Sequence, residues 1–386
     1  MNVDELKKIV SLGETANVQF KRRFDNQDKV AAEMIAMSNS KGGMILFGVE
    51  DKKGDIVGLE YADLQSIGNK VATIANDLVK PQVFILTEVV VVDEKKVFIL
   101  YIDEGVAKPY KDGNGIIWVK QGGDKRKLTD NHEIMRLFQQ KGLLYIDEMI
   151  VPNTKMTDID KAKVKEYIMF AFQNSRKNVK ISQKVLYQNL SILKKENLTL
   201  GGLLVFGKEP QRYKPAFCVK AISFVGNSIG GTTYRDSRDI IGTIPDMFYE
   251  SMLFFKQNLK YIQKGRNFNK PGILEISEIA LEELLQNALI HRDYTKNAPV
   301  RLMIFEDRIE IVSPGCLPND LTVEKIKLGN AAIRNNLLVS YCSKLMDYKG
   351  FGSGIIRAVN NQPNIELIND EEGNQFSVKI PREQIP

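Results

Sequence analysis

Cysteine is scarce in these 386 residues: Cys218, Cys316 and Cys342 are odd in number and far apart. That count argues against both a disulfide framework and a cysteine-built zinc cluster. With only two histidines, a site of three imidazole ligands is excluded. No apolar run reaches the roughly 18–20 residues that a membrane-spanning helix needs. The opening MNVDELKKIV carries acids where a secretory signal has an apolar core. A reduced, cytoplasmic protein with no membrane partner is the expectation. Internal repeats and low-complexity tracts are also lacking.

Hydrophobic residues make up 43% of the chain, enough for packed cores, and its length suits two or three domains. The net charge of +6 permits an acidic partner such as nucleic acid. It is too small to identify one, so the placement of the cations decides more than their sum.

Three segments are read, 1–147, 148–270 and 271–386, giving an α+β multidomain chain. In the first, VAAEMIAM (30–37) puts Val30, Met34 and Met37 at helical spacing, and SNSKGG ends that helix. The strand MILFGV follows. VFILTEVVVV and VFILYI then form a hairpin about the turn Asp93-Glu94-Lys95-Lys96, and IIWV around Trp118 is a further strand. The order suggests an α+β domain. The middle segment reads as a mixed α/β connector, with a helix starting near Asp158 or Asp160, strands LLVF and FCVKAISFV, and a helix near 244–263. The last segment reads as the helix ISEIALEELLQNALIHRDY, the hairpin VRLMIF-ED-RIEIV, two shorter helices, and strands NIELI and FSVKI.

The helix at 276–291 carries the sharpest chemistry. At 100° per residue, Leu281, Leu284, Leu285, Ala288 and Leu289 share one arc and predict the core face. Glu283 and Asn287 lie adjacent on the other side, with His291 one turn further. A carboxamide oxygen that ligates magnesium beside a carboxylate that orients water suits a magnesium–phosphate site. The same spacing also describes an ordinary solvated face.

EELLQNALIHRDY, EDRIEIVSPGCLP, GNAAIRNNLL and GFGSGIIRAV, in that order, resemble the divergent ATPase-like C-terminal module of bacterial transcriptional regulators. That module is related to the RecG helicase C-terminus and is similar to the gyrase, histidine-kinase and MutL (GHKL) type of ATP-binding fold. The resemblance covers about 275–360 and implies an α/β sandwich that holds ATP and magnesium. It assigns Glu283 as general base and Asn287 as magnesium ligand. Ser313-Pro314-Gly315 falls on the adenine-reading Asp-x-Gly, and Gly350, Gly352 and Gly354 fall on a phosphate-approaching glycine box. Arg334-Asn335 matches a recurrent pair without an assigned role. Two departures weaken nucleotide binding: Ser313 replaces the aspartate, and Cys316 stands where many members have a second glycine. His291, Arg292 and Asp293 read as a structural cluster at the helix end in preference to a catalytic one.

In the first segment, GETANVQFKRRF and SNSKGGMILFGVEDKKGDIVG, with the later IIWVKQGGDKRKLT, resemble the Schlafen AlbA-type domain, a nucleic-acid-binding module. It is the usual N-terminal companion of the ATPase-like module. Nuclease members of the wider family hold metal with clustered carboxylates at the positions of Glu14, Gln19 and Asp51. Gln19 breaks that set, because a neutral amide contributes far less metal affinity than a carboxylate. The cations placed to meet phosphate are Lys21, Arg22, Arg23, Lys41, Lys52, Lys53, Lys120, Lys125, Arg126 and Lys127. KQGGDKRK also fits a merely solvated turn, and Trp118 fits core packing better than base stacking.

LTLGGLLVFGKEPQRYKPAFCVKAISFVGN resembles the connector of the same regulators, and Arg176, Lys177, Lys180 and Lys184 add a basic, solvated stretch to that segment. The expectation is a duplex-DNA-binding transcriptional regulator that is not primarily an enzyme. Its degenerate ATP-type module would act as ligand sensor or homo-oligomer surface. The alternatives are a Schlafen-type metal-dependent nuclease and a nucleotide-dependent protein switch.

Overall fold

The structure is a computed structural model that describes residues 1–386 apart from 52–53, 141, 172–180, 264–270, 319–320, 347, 349–351, 383–386 and the side chains of 132, 136 and 140. Gly350, the pair Lys52-Lys53, and Arg176, Lys177 and Lys180 therefore lie outside the described residues. The chain divides into two units, Met1–Leu144 and Tyr145–Pro386.

The first unit contains α1 (Val3–Leu12), β1 (Val18–Lys21), α2 (Gln27–Asn39), β2 (Gly43–Phe47), α3 (Tyr61–Thr73), β3 (Ile85–Val92), β4 (Lys95–Ile102), β5 (Trp118–Gln121), β6 (Asp124–Lys127) and α4 (Asn131–Gln140). A four-stranded sheet runs β1-β2-β4-β3, with β1 parallel to β2 and the other neighbours antiparallel. Alternation splits its side chains between two cores. Phe20, Leu46, Val97 and Ile99 pack with Leu6 and Val10 of α1. Ile45, Phe47 and Leu100 pack with Val30, Met34 and Met37 of α2. The β3–β4 turn is tighter than its charged run suggests. Asp93 and Glu94 alone make it, with φ of 47° and 66°, and Lys95 and Lys96 already belong to β4. Positive φ at both turn residues matches the right-handed twist of the flanking strands.

The second unit contains α5 (Lys161–Ala171), α6 (Leu200–Phe206), β7 (Val219–Phe224), β8 (Tyr234–Ile240), α7 (Ile244–Asn258), α8 (Glu278–Ile290), β9 (Val300–Ile304), β10 (Arg308–Pro314), α9 (Val323–Lys327), α10 (Asn336–Leu345), α11 (Gly354–Asn361), β11 (Glu366–Asp370) and β12 (Gln375–Pro381). Six strands form one sheet in the order β8-β7-β9-β10-β12-β11. β7 lies parallel to β9 from Val219↔Val300 to Ser223↔Ile304, so the stretches 148–270 and 271–386 share a sheet. LLVF, expected as a strand, is instead the end of α6. Thr199 caps that helix by accepting from the Gly202 N–H, and every residue from Leu200 to Phe206 is buried. An apolar run buried on all sides carries neither period, so pattern alone cannot separate strand from helix. The result is a mixed α/β multidomain chain. Among the described residues, no helix is long and apolar enough to cross a membrane.

Candidate functional site

Helix α8 begins at Ser277, whose hydroxyl accepts from the Ala280 N–H. Its expected apolar face is buried, but so are Glu283 and Gln286 on the other side. A solvated polar face is thereby ruled out, because α11 packs over it. Arg357 of α11 pairs with Glu283, whose side chain is only 10% exposed. Gly354, the first residue of α11, lies directly on the same group. A Cβ there would come within 2.5 Å of Glu283 Oε2 and 3.3 Å of Asn287 Nδ2.

Glu283, Asn287, Gly315, Gly352 and Gly354 all line one cavity of about 130 Å³. Gly315 has φ 99°, and a Cβ on it would strike Asp293 Cβ at 2.3 Å, so only glycine fits. Ser313 Oγ donates to the Ala288 carbonyl at 2.9 Å, which spends its one proton on the helix. Cys316 Sγ donates to the Asp370 carbonyl at 3.2 Å, and the nearby Leu317 N–H donates to Asn369.

The Arg334-Asn335 pair acquires a role here. Asn335 Nδ2 donates to the carbonyls of Ile290 and Arg292 at 2.8 and 3.0 Å, while Arg334 donates to those of His291 and Cys316. The last carbonyls of a helix lack intrahelical donors, and these two side chains supply donors to Ile290 and to the C-cap His291. His291 Nε2 lies 2.6 Å from the Tyr348 hydroxyl. Burial, then the Arg334 charge, push its pKa down to about 4, so it stays neutral at pH 7. Arg292 donates to the carbonyls of Lys296 and Ala298, and Asp293 accepts from Thr295, so both brace the loop after α8. Sequence reasoning missed Arg357. Its signal was a cation one turn beyond the last glycine of GFGSGIIRAV.

In the first unit the expected cations separate into two groups. Lys120 and Lys125 of the β5–β6 hairpin both reach Glu33 of α2, at 3.3 and 2.5 Å. The Lys120 and Glu33 side chains are only 3% and 4% exposed. Arg126 makes a two-pronged pair with Glu133, and Lys127 lies over the ring of Trp118. Trp118 itself packs partly buried against the α2 core and donates to Asp112. This hairpin is therefore largely tied down. Lys41 is exposed and has a partner of its own. Lys21, Arg22 and Arg23, by contrast, line an open cavity of about 380 Å³ with Asp25, Glu50 and Asp51.

The carboxylates expected to cluster are held differently. Glu14 Oε1 accepts from the Phe20 N–H at 2.8 Å. Gln19 is buried, and its Nε2 donates to the Val18 and Gly123 carbonyls. Asp51 lies with Lys21 in the open cavity, which Glu14 does not line. Among the described residues, no group of three or more acidic, histidine or cysteine side chains is placed to hold a metal ion.

Residues 14–129 match the family model "Schlafen, AlbA_2". Residues 297–380 match "Putative ATP-dependent DNA helicase recG C-terminal", and 135–220 match a domain of unknown function, DUF8451. No curated protein matches the chain. Of solved structures, the DIP2311 protein from Corynebacterium diphtheriae is 20% identical, with a TM-score of 0.45 over 95% of this chain. This chain spans 65% of that protein's length. The N-terminal domain of a RecG-related protein from Nitrosomonas europaea is 23% identical over 33% of this chain and 94% of its own, with a TM-score of 0.25. The AlbA_2-type match contains Gln19 and the basic run after it. The RecG-type match starts at residue 297, after α8, and so leaves Glu283 and Asn287 outside it.

Proposed function

We propose that this chain is a transcriptional regulator that binds duplex DNA through its AlbA_2-type unit and carries a ligand-sensing cavity in its second unit. The observation that carries the reading is the run Lys21-Arg22-Arg23 at the end of β1, where Arg22 and Arg23 are exposed. The Arg22 side chain is 63% exposed and touches Glu50 at 3.7 Å. Exposed pairs of this kind contribute at most about 1 kcal/mol, so a phosphate can replace the carboxylate. Three adjacent cations also suit a backbone contact that positions the duplex without reading its bases. The match to a module named for a DNA helicase supports the nucleic-acid side of the reading, and the cavity beside α8 supports the ligand side.

The test is fluorescence anisotropy of labelled duplex DNA and labelled tRNA against the protein over a salt series with magnesium, followed by a denaturing gel. The expected result is tighter, salt-sensitive binding of the duplex, with strands intact. Equal affinity at all salt concentrations, or none, overturns the reading. Cut strands replace it with a nuclease.

A further inference from the structure

The magnesium–triphosphate site that the ATPase-like resemblance implies does not fit the residues as they stand. The resemblance puts the phosphates against the glycine box and the magnesium on Asn287, and the two meet where Gly354 approaches Glu283 and Asn287. Gly354 leaves less than a methyl group of space there. Glu283 is also already neutralised by Arg357, so it is neither a free base nor a free metal-orienting group. Arg334, the nearby buried cation, points its guanidinium at backbone carbonyls of His291 and Cys316. Among the described residues that line the cavity, a triphosphate would thus bring several negative charges beside a buried carboxylate without an unengaged cation to meet them. At the base end, Ser313 cannot supply the charge that an aspartate would.

What remains is apolar. Leu284, Ile311, Leu317, Ile326, Val339 and Phe376 line the cavity of about 130 Å³. An engineered cavity of about 150 Å³ lined by such side chains admits benzene. Glu283 and Arg357 cancel, and the remaining cation of the wall, Arg334, is already engaged by the His291 and Cys316 carbonyls.

From this geometry we infer that the cavity takes a neutral molecule of one or two aromatic rings and not a magnesium nucleotide. The inference rests on reading the cavity as the ligand site, and it names the class of that ligand. The ring fills the apolar floor between α8, β10 and β12. The closed contact of Gly354 and Arg357 on Glu283 forms the end wall.

Saturation-transfer NMR with the full chain and three neutral probes, phenol, indole and adenine, tests it beside calorimetry with Mg-ATP. At least one neutral ring should show saturation transfer, Mg-ATP should give no binding heat, and Leu317→Trp, which fills the cavity from a half-buried loop position, should weaken the ring at least tenfold. Should that variant fail to fold, competition on the wild type decides. Millimolar Mg-ATP must leave the ring's signal unchanged. Mg-ATP binding that is lost in Asn287→Ala, with no ring bound, overturns the inference but keeps the cavity as a ligand site. No binding by any of the four overturns both.

Discussion

Asp147 shows how one buried group sets a pH dependence. Its Oδ2 accepts from the Leu338 N–H at 3.0 Å, and its Oδ1 is buried without a partner. Burial pushes the carboxyl up to about 6, against the lowering effect of the Leu338 and Leu337 amides. The folded state therefore holds this proton more tightly than the unfolded chain, whose carboxyl titrates near 3.9. The stabilising contribution is complete below about pH 4 and is lost as pH rises through 6, a span worth roughly 3 kcal/mol. Asp147→Asn keeps the acceptor and removes the charge. Urea denaturation should find it more stable than wild type by about 2–3 kcal/mol at pH 7.5 and nearly equal at pH 4. A gap unchanged between those pH values would contradict the account. His291 acts with the opposite sign, destabilising as pH falls from 6.5 towards 4, but it is common to both proteins and cancels in the difference. At this scale the sequence was legible where placement follows helical period, as for Glu283 and Asn287, which line one cavity. Asp147 and Glu33 were not legible, because their partners lie far along the chain and leave no local pattern.

Among the elements, the β5–β6 hairpin and the approach to α11 carry separate expectations. Glu33 draws two lysines of the hairpin onto α2, so that basic turn holds structure together and offers less to a ligand than its composition suggests. Lys120→Met leaves Glu33 with one partner and should cost about 2 kcal/mol, the scale of one hydrogen bond to a charged group. Arg23→Ala, at an exposed position, should stay within about 0.5 kcal/mol of wild type. Thermal melts of the two variants check the contrast, and equal melting would deny the clamp. Before α11, Gly352 has φ 75°, and a Cβ on it would lie 2.4 Å from the Gly329 carbonyl oxygen. Gly352→Ala should therefore lower the melting temperature by several degrees, since strain there exceeds the roughly 1 kcal/mol of a left-handed alanine. Unchanged melting would show that this loop adapts. The strands MILFGV and FSVKI were readable from alternation and burial. LLVF was misread because α6 is apolar all round and the deciding contacts are tertiary.

At the scale of the molecule, two units gather residues that composition only lists. The second unit threads strands from both sides of residue 271 into one sheet, a pairing of β7 with β9 across some eighty residues that no local signal announces. The AlbA_2-type resemblance, read from motifs, agrees with the matched segment 14–129, whereas the RecG-type one overlaps its matched segment 297–380 only beyond the α8 motif. The mild net charge conceals an uneven distribution. Several cations of the first unit are held by Glu33 and Glu133 in partly or fully buried pairs, while Lys21, Arg22 and Arg23 line an open cavity with Asp25, Glu50 and Asp51. The most direct test of DNA binding through that run is the salt slope of duplex affinity for wild type beside the triple variant Lys21→Ala, Arg22→Ala, Arg23→Ala. Each lost phosphate contact should reduce the slope by about one. The account predicts a slope shallower by about two to three, with an unchanged melting temperature. Equal slopes and equal affinities in the two proteins would contradict it.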